Sequence, residues 1–211
     1  MSEQNNLLEL VAKRKIVPVV KLDDARDAAP LCEALCEGGL PVAEITFRTE
    51  AAEESIRRAS KAFPDMLIGA GTIVNTEQAK RAVDAGATFL VTPGFSRNVT
   101  EFAIENNIFI FPGTCTPTEI MAALEYDLNI VKFFPAKQYG GLDTIKALSA
   151  PFPSVRFMPT GGVSAANIRE FLAYEKIIAC GGSWMVKDAY IKEGQFAEIT
   201  RLTREAVELA R

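Results

Sequence analysis

The sequence of 211 residues contains no histidine. This absence excludes a serine or cysteine nucleophile activated by histidine, a histidine general base and a zinc site with imidazole ligands. Any acid–base or nucleophilic chemistry must therefore use lysine, carboxylate, tyrosine, serine or threonine side chains.

Cysteine is also scarce, with four residues at positions 32, 36, 115 and 180. They form no C-x-x-C metal pair and are too few for a disulfide-stabilised scaffold, so we expect reduced thiols. Cys32 and Cys36 are four residues apart on a predicted helix, where they are expected to pack in the core rather than bind a metal. Cys115 falls in a predicted loop, and we assign it no catalytic role.

Long apolar runs and basic runs are missing as well. No apolar stretch approaches the ~20 residues of a membrane-spanning helix, and the N-terminal MSEQNNLLELVAKRK lacks the apolar core and cleavage site of a secretory signal. The net charge of -4 and the pI of about 5.1 argue against a general surface for nucleic acid or for anionic membranes. We therefore expect a cytoplasmic protein that binds anions only at a local site.

The sequence does contain a repeated pattern of strands and helices in a globular composition. With 48% hydrophobic residues, residues 1–211 are predicted to form a single domain around one core. Eight short apolar runs alternate with helical segments: IVPVV, VAEITF, MLIGAGT, FLVTP, IFIFP, NIVKFF, SVRFMPT and IIACGG. This pattern predicts an α/β fold, a (β/α)8 TIM barrel with an additional N-terminal helix, and leaves an open doubly wound sheet as the structural alternative.

One lysine interrupts an apolar run, in the stretch NIVKFFPA. Because side chains alternate along a strand, Lys132 and Phe134 share one face of theirs. The same alternation in VAEITFR places Glu44, Thr46 and Arg48 together. Strands of a parallel barrel are normally apolar on both faces, so these polar faces are expected to point into the barrel or to its catalytic rim, where Glu44 and Lys132 can meet.

A buried pair of Glu44 and Lys132 has a structural and a functional interpretation. As an ion pair alone it would stabilise poorly, because desolvation offsets the attraction. A lysine amine surrounded by hydrocarbon is instead a suitable nucleophile for a ketone, with which it forms a Schiff base. Among the side chains that are expected to point into the barrel, Glu44 is then the best candidate for proton transfer. Lys21 and Lys137 are predicted to be solvated charges.

Arg48 and two glycine pairs predict an anionic substrate. The planar donor fork of Arg48 suits a carboxylate, with a salt bridge at the rim as the alternative. The loops PTGGVS and CGGS follow the seventh and eighth strands. Barrel phosphate sites are commonly built there from backbone N–H groups and helix N-termini.

The motifs VAEITFRTE, GAGTI, VTPG, FPGT, VKFFPA, MPTGGV and GGSW cover nearly the whole sequence. In their order and spacing the sequence resembles the bacterial class I aldolases that cleave 2-keto-3-deoxy-6-phosphogluconate (KDPG) and 4-hydroxy-2-oxoglutarate (KHG). The resemblance implies a (β/α)8 barrel, commonly a homotrimer, that needs no metal and no cofactor. It implies a lyase of the Entner-Doudoroff pathway that converts KDPG to pyruvate and glyceraldehyde 3-phosphate, and KHG to pyruvate and glyoxylate.

The resemblance also implies roles for individual residues. Lys132 would be the Schiff-base lysine and Glu44 the proton-transferring group, the same pair that the alternation of side chains selects. The implied substrate-binding residues are Arg48 and Thr72 at the pyruvyl carboxylate, Pro93 and Phe134 at the pocket wall, Thr160 near the hydroxyl-bearing carbons, and Gly161, Gly162, Gly182 and Ser183 at the phosphate.

Two other functions stay open at this point. A sister aldolase that acts on the galactonate epimer would use the same lysine and glutamate, although Thr160 in MPTGG favours the gluconate type. A barrel without catalysis that only binds phosphate is the alternative from a different class. The intact set of Glu44, Arg48 and Lys132 argues against it, because a binding protein has no use for a desolvated lysine.

Overall fold

The computed structural model of the protein describes the backbone of residues 3–211 and the side chains of residues 7–211. Its strands are β1 (Ile16–Val20), β2 (Val42–Thr46), β3 (Leu67–Gly71), β4 (Phe89–Val91), β5 (Phe109–Phe111), β6 (Gly113–Thr114), β7 (Ile130–Phe133), β8 (Arg156–Pro159) and β9 (Cys180–Gly182). Its helices are α1 (Glu3–Arg14), α2 (Ala28–Glu37), α3 (Ala52–Ala62), α4 (Thr76–Asp84), α5 (Arg97–Glu105), α6 (Pro117–Leu124), α7 (Gly141–Ser149), α8 (Ile168–Leu172), α9 (Asp188–Lys192) and α10 (Phe196–Leu209).

All paired strands run parallel and follow one another around a barrel. One sheet has the order β5-β4-β3-β2-β1-β9, and the other has the order β6-β7-β8. Only Pro112 separates β5 from β6, and isolated bridges from Phe157 to Ile177 and from Thr160 to Gly181 connect β8 with the chain at β9. The eight predicted strand positions and the helix before them are present, so the predicted (β/α)8 barrel with an N-terminal helix is confirmed.

The fifth strand differs from its prediction because it is divided into β5 and β6. Pro112 has no backbone N–H and therefore cannot donate a hydrogen bond to a neighbouring strand. The carbonyl of Pro112 still accepts a hydrogen bond from the backbone N–H of Lys132 (2.9 Å), while Gly113 N–H donates to Thr92 Oγ1 (3.0 Å). The fifth strand position is therefore hydrogen-bonded both to β7, which carries Lys132, and to Thr92, which directly follows β4.

The helices form where the sequence supplies start signals and an apolar face. Asn75 begins α4 by accepting a hydrogen bond from the backbone N–H of Gln78, and Thr116 and Glu119 form a capping box at the start of α6. Apart from Ala52, the buried apolar side chains between Leu7 and Ala210 form one contiguous cluster. Within residues 3–211, no helix is both long enough and apolar enough to pass through a lipid bilayer.

All four cysteines are free thiols. Burial raises the pKa of Cys32 to about 12 and that of Cys180 to about 12. Burial and then the adjacent Glu119 carboxylate raise the pKa of Cys115. Because the thiolate is the reactive form, none of these three thiols is activated as a nucleophile near neutral pH.

Candidate active site

The centre of the site is a contact between a lysine and a glutamate inside the barrel. Lys132 on β7 donates from Nζ to Oε1 of Glu44 on β2 over 3.2 Å, and the two side chains are 5% and 0% exposed. The meeting of these residues, expected from strand alternation, is confirmed. The second oxygen of Glu44, Oε2, is buried and accepts no hydrogen bond from any described residue.

One glycine makes room for this pair, and a second lets the chain after β4 approach the strand beside Lys132. Gly71, at the end of β3, lies so close to Glu44 that a Cβ there would be 2.0 Å from Oε1. Gly113 is the strand partner of Lys132, and a Cβ there would be 2.4 Å from the carbonyl carbon of Pro93. Neither of these close approaches was predicted from the sequence. A glycine inside a strand is the signal that indicates such a close approach.

A cavity of about 210 Å³ lies at the carboxyl ends of the strands. Phe134 connects it to the buried pair, because the Lys132 Nζ atom is 5.2 Å from the centroid of the Phe134 ring. Seven of the nine predicted substrate-binding residues line it: Arg48, Phe134, Thr160, Gly161, Gly162, Gly182 and Ser183. Val19, Val163 and Gly181 also line it and were not predicted.

The other two predicted residues do not line this cavity. Thr72 directly follows β3 and has a positive φ of 57°. Pro93 lies two residues after β4, with its backbone against Gly113. Both follow the carboxyl ends of their strands, on the side of the barrel where the cavity opens.

Arg48 lies in the turn after β2 and is exposed at the cavity. Its Nε atom donates to Oγ1 of Thr46 over 3.0 Å. Among residues 7–211 no salt bridge to Arg48 is formed, so the alternative of a rim ion pair is not observed in that part of the chain. The terminal guanidinium nitrogens have no hydrogen-bond partner there and are available to an anion.

The loops after β7 and β8 run side by side along one wall of the cavity. Ala136 N–H donates to the carbonyl of Thr160 (2.8 Å), and Lys137 N–H donates to that of Gly161 (3.0 Å). Gly161 and Gly162 have φ angles of 93° and 84°, which strongly favour glycine. Their own N–H groups donate to no described residue. Free backbone N–H groups of this kind suit an anion such as phosphate.

The remaining lysines near the rim have other environments. Lys21 forms salt bridges with Asp23 (2.7 Å) and Asp188 (3.4 Å), and Lys137 is exposed. Within residues 3–211, no group of three or more acidic or cysteine side chains is arranged to hold a metal ion. Among these three lysines, Lys132 is the one that combines burial with a direct carboxylate contact.

Known proteins match this chain over nearly its whole length. The family model described as KDPG and KHG aldolase matches residues 7–202. The 2-dehydro-3-deoxy-phosphogluconate aldolase of Haemophilus influenzae is 45% identical over 203 residues, which cover 96% of this chain and 96% of that protein. The KHG/KDPG aldolase of Escherichia coli K12 is 41% identical over 196 residues, covering 93% and 92% of the two chains.

A solved structure has the same fold. The crystal structure of KDPG aldolase from Legionella pneumophila, with pyruvate captured at low pH as a covalent carbinolamine intermediate, superimposes with a TM-score of 0.91 at 38% identity. The match covers 95% of this chain and 97% of that one. On its sequence and on its fold, the chain belongs to the KDPG and KHG aldolase family.

Proposed function

We propose that this protein is a class I aldolase that cleaves KDPG to pyruvate and glyceraldehyde 3-phosphate through a Schiff base on Lys132. The observation that carries the proposal is the buried amine of Lys132, 3.2 Å from the Glu44 carboxylate and beside a cavity that opens at the catalytic rim. The carbinolamine in the Legionella relative supports it, because that adduct is the first covalent product of an amine and a ketone.

The reaction begins when the neutral amine of Lys132 attacks the C2 ketone of the substrate. A C–N bond forms, and the ketone oxygen takes up a proton to give the carbinolamine. Glu44 accepts and returns protons while water leaves, directly or through a water molecule. The unpartnered Oε2 of Glu44 is available for this transfer. The resulting iminium withdraws electrons from the neighbouring carbon chain.

Cleavage of the C3–C4 bond follows from this electron sink. Glu44, or a water that it polarises, removes the proton of the C4 hydroxyl, and a C4 carbonyl forms as the bond to C3 breaks. The bonding pair moves into the iminium, so that glyceraldehyde 3-phosphate leaves an enamine of pyruvate on Lys132. Protonation of the enamine at C3 and hydrolysis of the iminium release pyruvate and restore the amine.

The substrate is held, in this proposal, along the cavity from the carboxylate end to the phosphate end. Arg48 binds the pyruvyl carboxylate, assisted by Thr72, and Pro93 and Phe134 shape the wall beside the reacting carbon. Thr160 lines the same cavity, and we assign it to the hydroxyl-bearing carbons of the substrate. The phosphate is received by Gly161, Gly162, Gly182 and Ser183, which line the cavity together.

The same lysine and glutamate also serve KHG, which yields pyruvate and glyoxylate. KHG has no phosphate, so its binding depends on Arg48 and the pocket wall more than on the glycine loops. We further propose that residues 1–211 form one domain, that the protein works in the cytoplasm and that it assembles as a homotrimer. The single cluster of buried side chains supports the first of these proposals, and the family resemblance supports the others.

Trapping with borohydride tests the proposed function directly. The wild-type protein is incubated with pyruvate, reduced with borohydride and analysed by intact and peptide mass spectrometry. We expect one three-carbon adduct per chain, located on Lys132, because reduction converts the iminium to a stable secondary amine. No adduct, or adducts scattered over exposed lysines, would make Lys132 a structural residue and favour the phosphate-binding barrel.

Replacing Gly71 by alanine is expected to lower kcat for KDPG cleavage by about 10- to 100-fold, since small displacements of a catalytic group have effects of this size. A Cβ at this position would lie 2.0 Å from Glu44 Oε1. The carboxylate must therefore leave the position in which its Oε1 atom contacts the Lys132 amine. Steady-state kinetics measure the effect, and circular dichroism shows whether the fold is kept.

Gly94→Ala is the matched control for this substitution. Gly94 follows Pro93 after β4, and a Cβ there would meet no atom within 4 Å. We expect its kcat to stay within about twofold of the wild type, because the added methyl group makes no new contact. Equal losses in Gly71→Ala and Gly94→Ala would contradict the role of Gly71 in placing Glu44.

A further inference from the structure

The guanidinium of Arg48 is held by a buried hydroxyl group. Thr46 is the last residue of β2, and its side chain shares a strand face with Glu44. Its Oγ1 atom accepts a hydrogen bond from Arg48 Nε (3.0 Å) and donates one to the carbonyl of Val20 on β1 (2.8 Å). Thr46 is 1% exposed, so water does not compete freely for either bond.

The direction of these two hydrogen bonds is fixed by chemistry. A guanidinium only donates and a carbonyl oxygen only accepts, whereas a hydroxyl has one donor and two lone pairs. The Thr46 hydroxyl must therefore donate its proton to the carbonyl of Val20 and use a lone pair to accept the hydrogen bond from Arg48 Nε. With Nε engaged, the terminal nitrogens of Arg48 remain free, since no described residue bonds to them.

The backbone of the turn that carries Arg48 is secured by other contacts. Thr49 Oγ1 donates to the carbonyl of Leu22 (2.5 Å), and Phe47 N–H donates to the carbonyl of Gly71 (2.8 Å). These bonds tie the turn to the chain after β1 and to β3. They do not involve the side chain of Arg48, so its orientation depends on Thr46.

We propose that Thr46 is a positioning residue, whose hydroxyl fixes the guanidinium of Arg48 with its terminal nitrogens free to bind the carboxylate of a 2-keto acid. The inference rests on the proposed role of Arg48 in the aldolase reaction. An arginine side chain loses much rotamer freedom when it binds a ligand. A guanidinium already held at Nε loses less of it, which strengthens carboxylate binding without changing the chemistry at Lys132.

The test uses the half-reaction with pyruvate, in which enamine formation exchanges the methyl protons of pyruvate for deuterium in D2O. Proton NMR measures the exchange rate against pyruvate concentration for the wild type and for Thr46→Val, which has nearly the same shape but no hydroxyl. We expect the half-saturating pyruvate concentration to rise about 10-fold, the usual effect of losing a hydrogen bond to a charged group. The maximal rate should stay within about threefold.

Three further variants separate positioning from a structural role. Thr46→Ser restores the hydroxyl and is expected to return the half-saturating concentration to within about twofold of the wild type. Thr49→Val removes the neighbouring hydroxyl anchor of the same turn and should leave that concentration unchanged. In an Arg48→Ala background, Thr46→Val should cause no additional rise, because the two residues act as one unit.

The inference is overturned if Thr46→Val binds pyruvate like the wild type, if Thr49→Val causes the same rise, or if the effect of Thr46→Val persists without Arg48. Thermal melting checks the fold of each variant, and Thr46→Ala replaces Thr46→Val if the latter does not fold. A wild-type protein without exchange and without an adduct on Lys132 would instead refute the proposed function, and this inference with it. Exchange in the wild type together with an unaffected Thr46→Val refutes the positioning role alone.

Discussion

Lys132→Met is expected to lower the rate of KDPG cleavage by at least about 10⁴-fold, the order of loss seen when a covalent nucleophile is removed. A thioether cannot attack a ketone and form an iminium, so no electron sink develops and the C3–C4 bond stays intact. The other interactions with substrate are retained. The loss should therefore appear in kcat, while binding of a phosphorylated product analogue changes little.

The fold is expected to survive this substitution. Methionine is unbranched, close in length to lysine and suited to the apolar surroundings of β7. The cost arises at Glu44, which is fully buried and loses its partner. Removing one member of a buried pair costs about 3–5 kcal/mol when the remaining charge stays uncompensated. Circular dichroism at the assay temperature and a thermal melt establish whether the folded state is still populated.

Borohydride trapping with pyruvate completes this test, with Lys137→Met as the control. Lys137 lies on the loop directly after the catalytic strand and is exposed. We expect Lys137→Met to form the adduct as the wild type does and Lys132→Met to form none. A folded Lys132→Met protein that still cleaves KDPG at the wild-type rate would refute the assignment of the Schiff-base lysine.

The sequence allowed the barrel to be predicted because each strand carries its own local signal. Short β-branched runs such as IVPVV and NIVKFF identified β1 and β7, and the glycine pairs in PTGGVS and CGGS were placed after the last two strands. Alternation along two strands then selected Glu44 and Lys132 from the sequence alone. Buried charges are informative in this way, because few positions in a parallel barrel tolerate them.

Features that depend on distances between strands were not predicted. The close approach of Gly71 to Glu44 follows from the register of β3 on β2, which single-sequence patterns do not reveal. The hydroxyl of Thr46 had no recognisable partner in the sequence, because Val20 lies 26 positions away and contributes only a backbone carbonyl. Val19 and Val163 were overlooked because an apolar residue at a rim resembles any other core residue.

For a related reason, the sequence did not show that seven of the nine predicted substrate-binding residues line the cavity while Thr72 and Pro93 do not. The seven that line the cavity include four in loops after β8 and β9, where the barrel closes on itself. Thr72 and Pro93 follow β3 and β4, which lie farther along the ring from β9. The order of motifs in the sequence does not show how far apart their strands lie around the barrel. The sequence alone therefore did not indicate that Thr72 and Pro93 lie outside the cavity that the other seven residues line.

Glu44→Gln is expected to lower kcat for KDPG cleavage by about 10²- to 10⁴-fold, the usual contribution of a positioned acid–base group. The amide has nearly the shape of the carboxylate but cannot accept and return protons. Lys132 keeps its amine, so the pyruvate adduct should still form on it, only more slowly. Time-resolved trapping and steady-state cleavage, measured on the same preparation, distinguish this variant from Lys132→Met, which should form no adduct at any time.

Glu50→Gln provides the matched control, since Glu50 is exposed in the turn after β2, two residues beyond Arg48. It makes the same chemical change on the same side of the barrel and should keep kcat within about twofold, as expected for an exposed site. If Glu44→Gln cleaves KDPG as fast as Glu50→Gln does, the contact with Lys132 is a structural ion pair and protons move through another group. A slow Glu44→Gln enzyme that still accumulates the adduct would assign the nucleophile to Lys132 and proton transfer to Glu44.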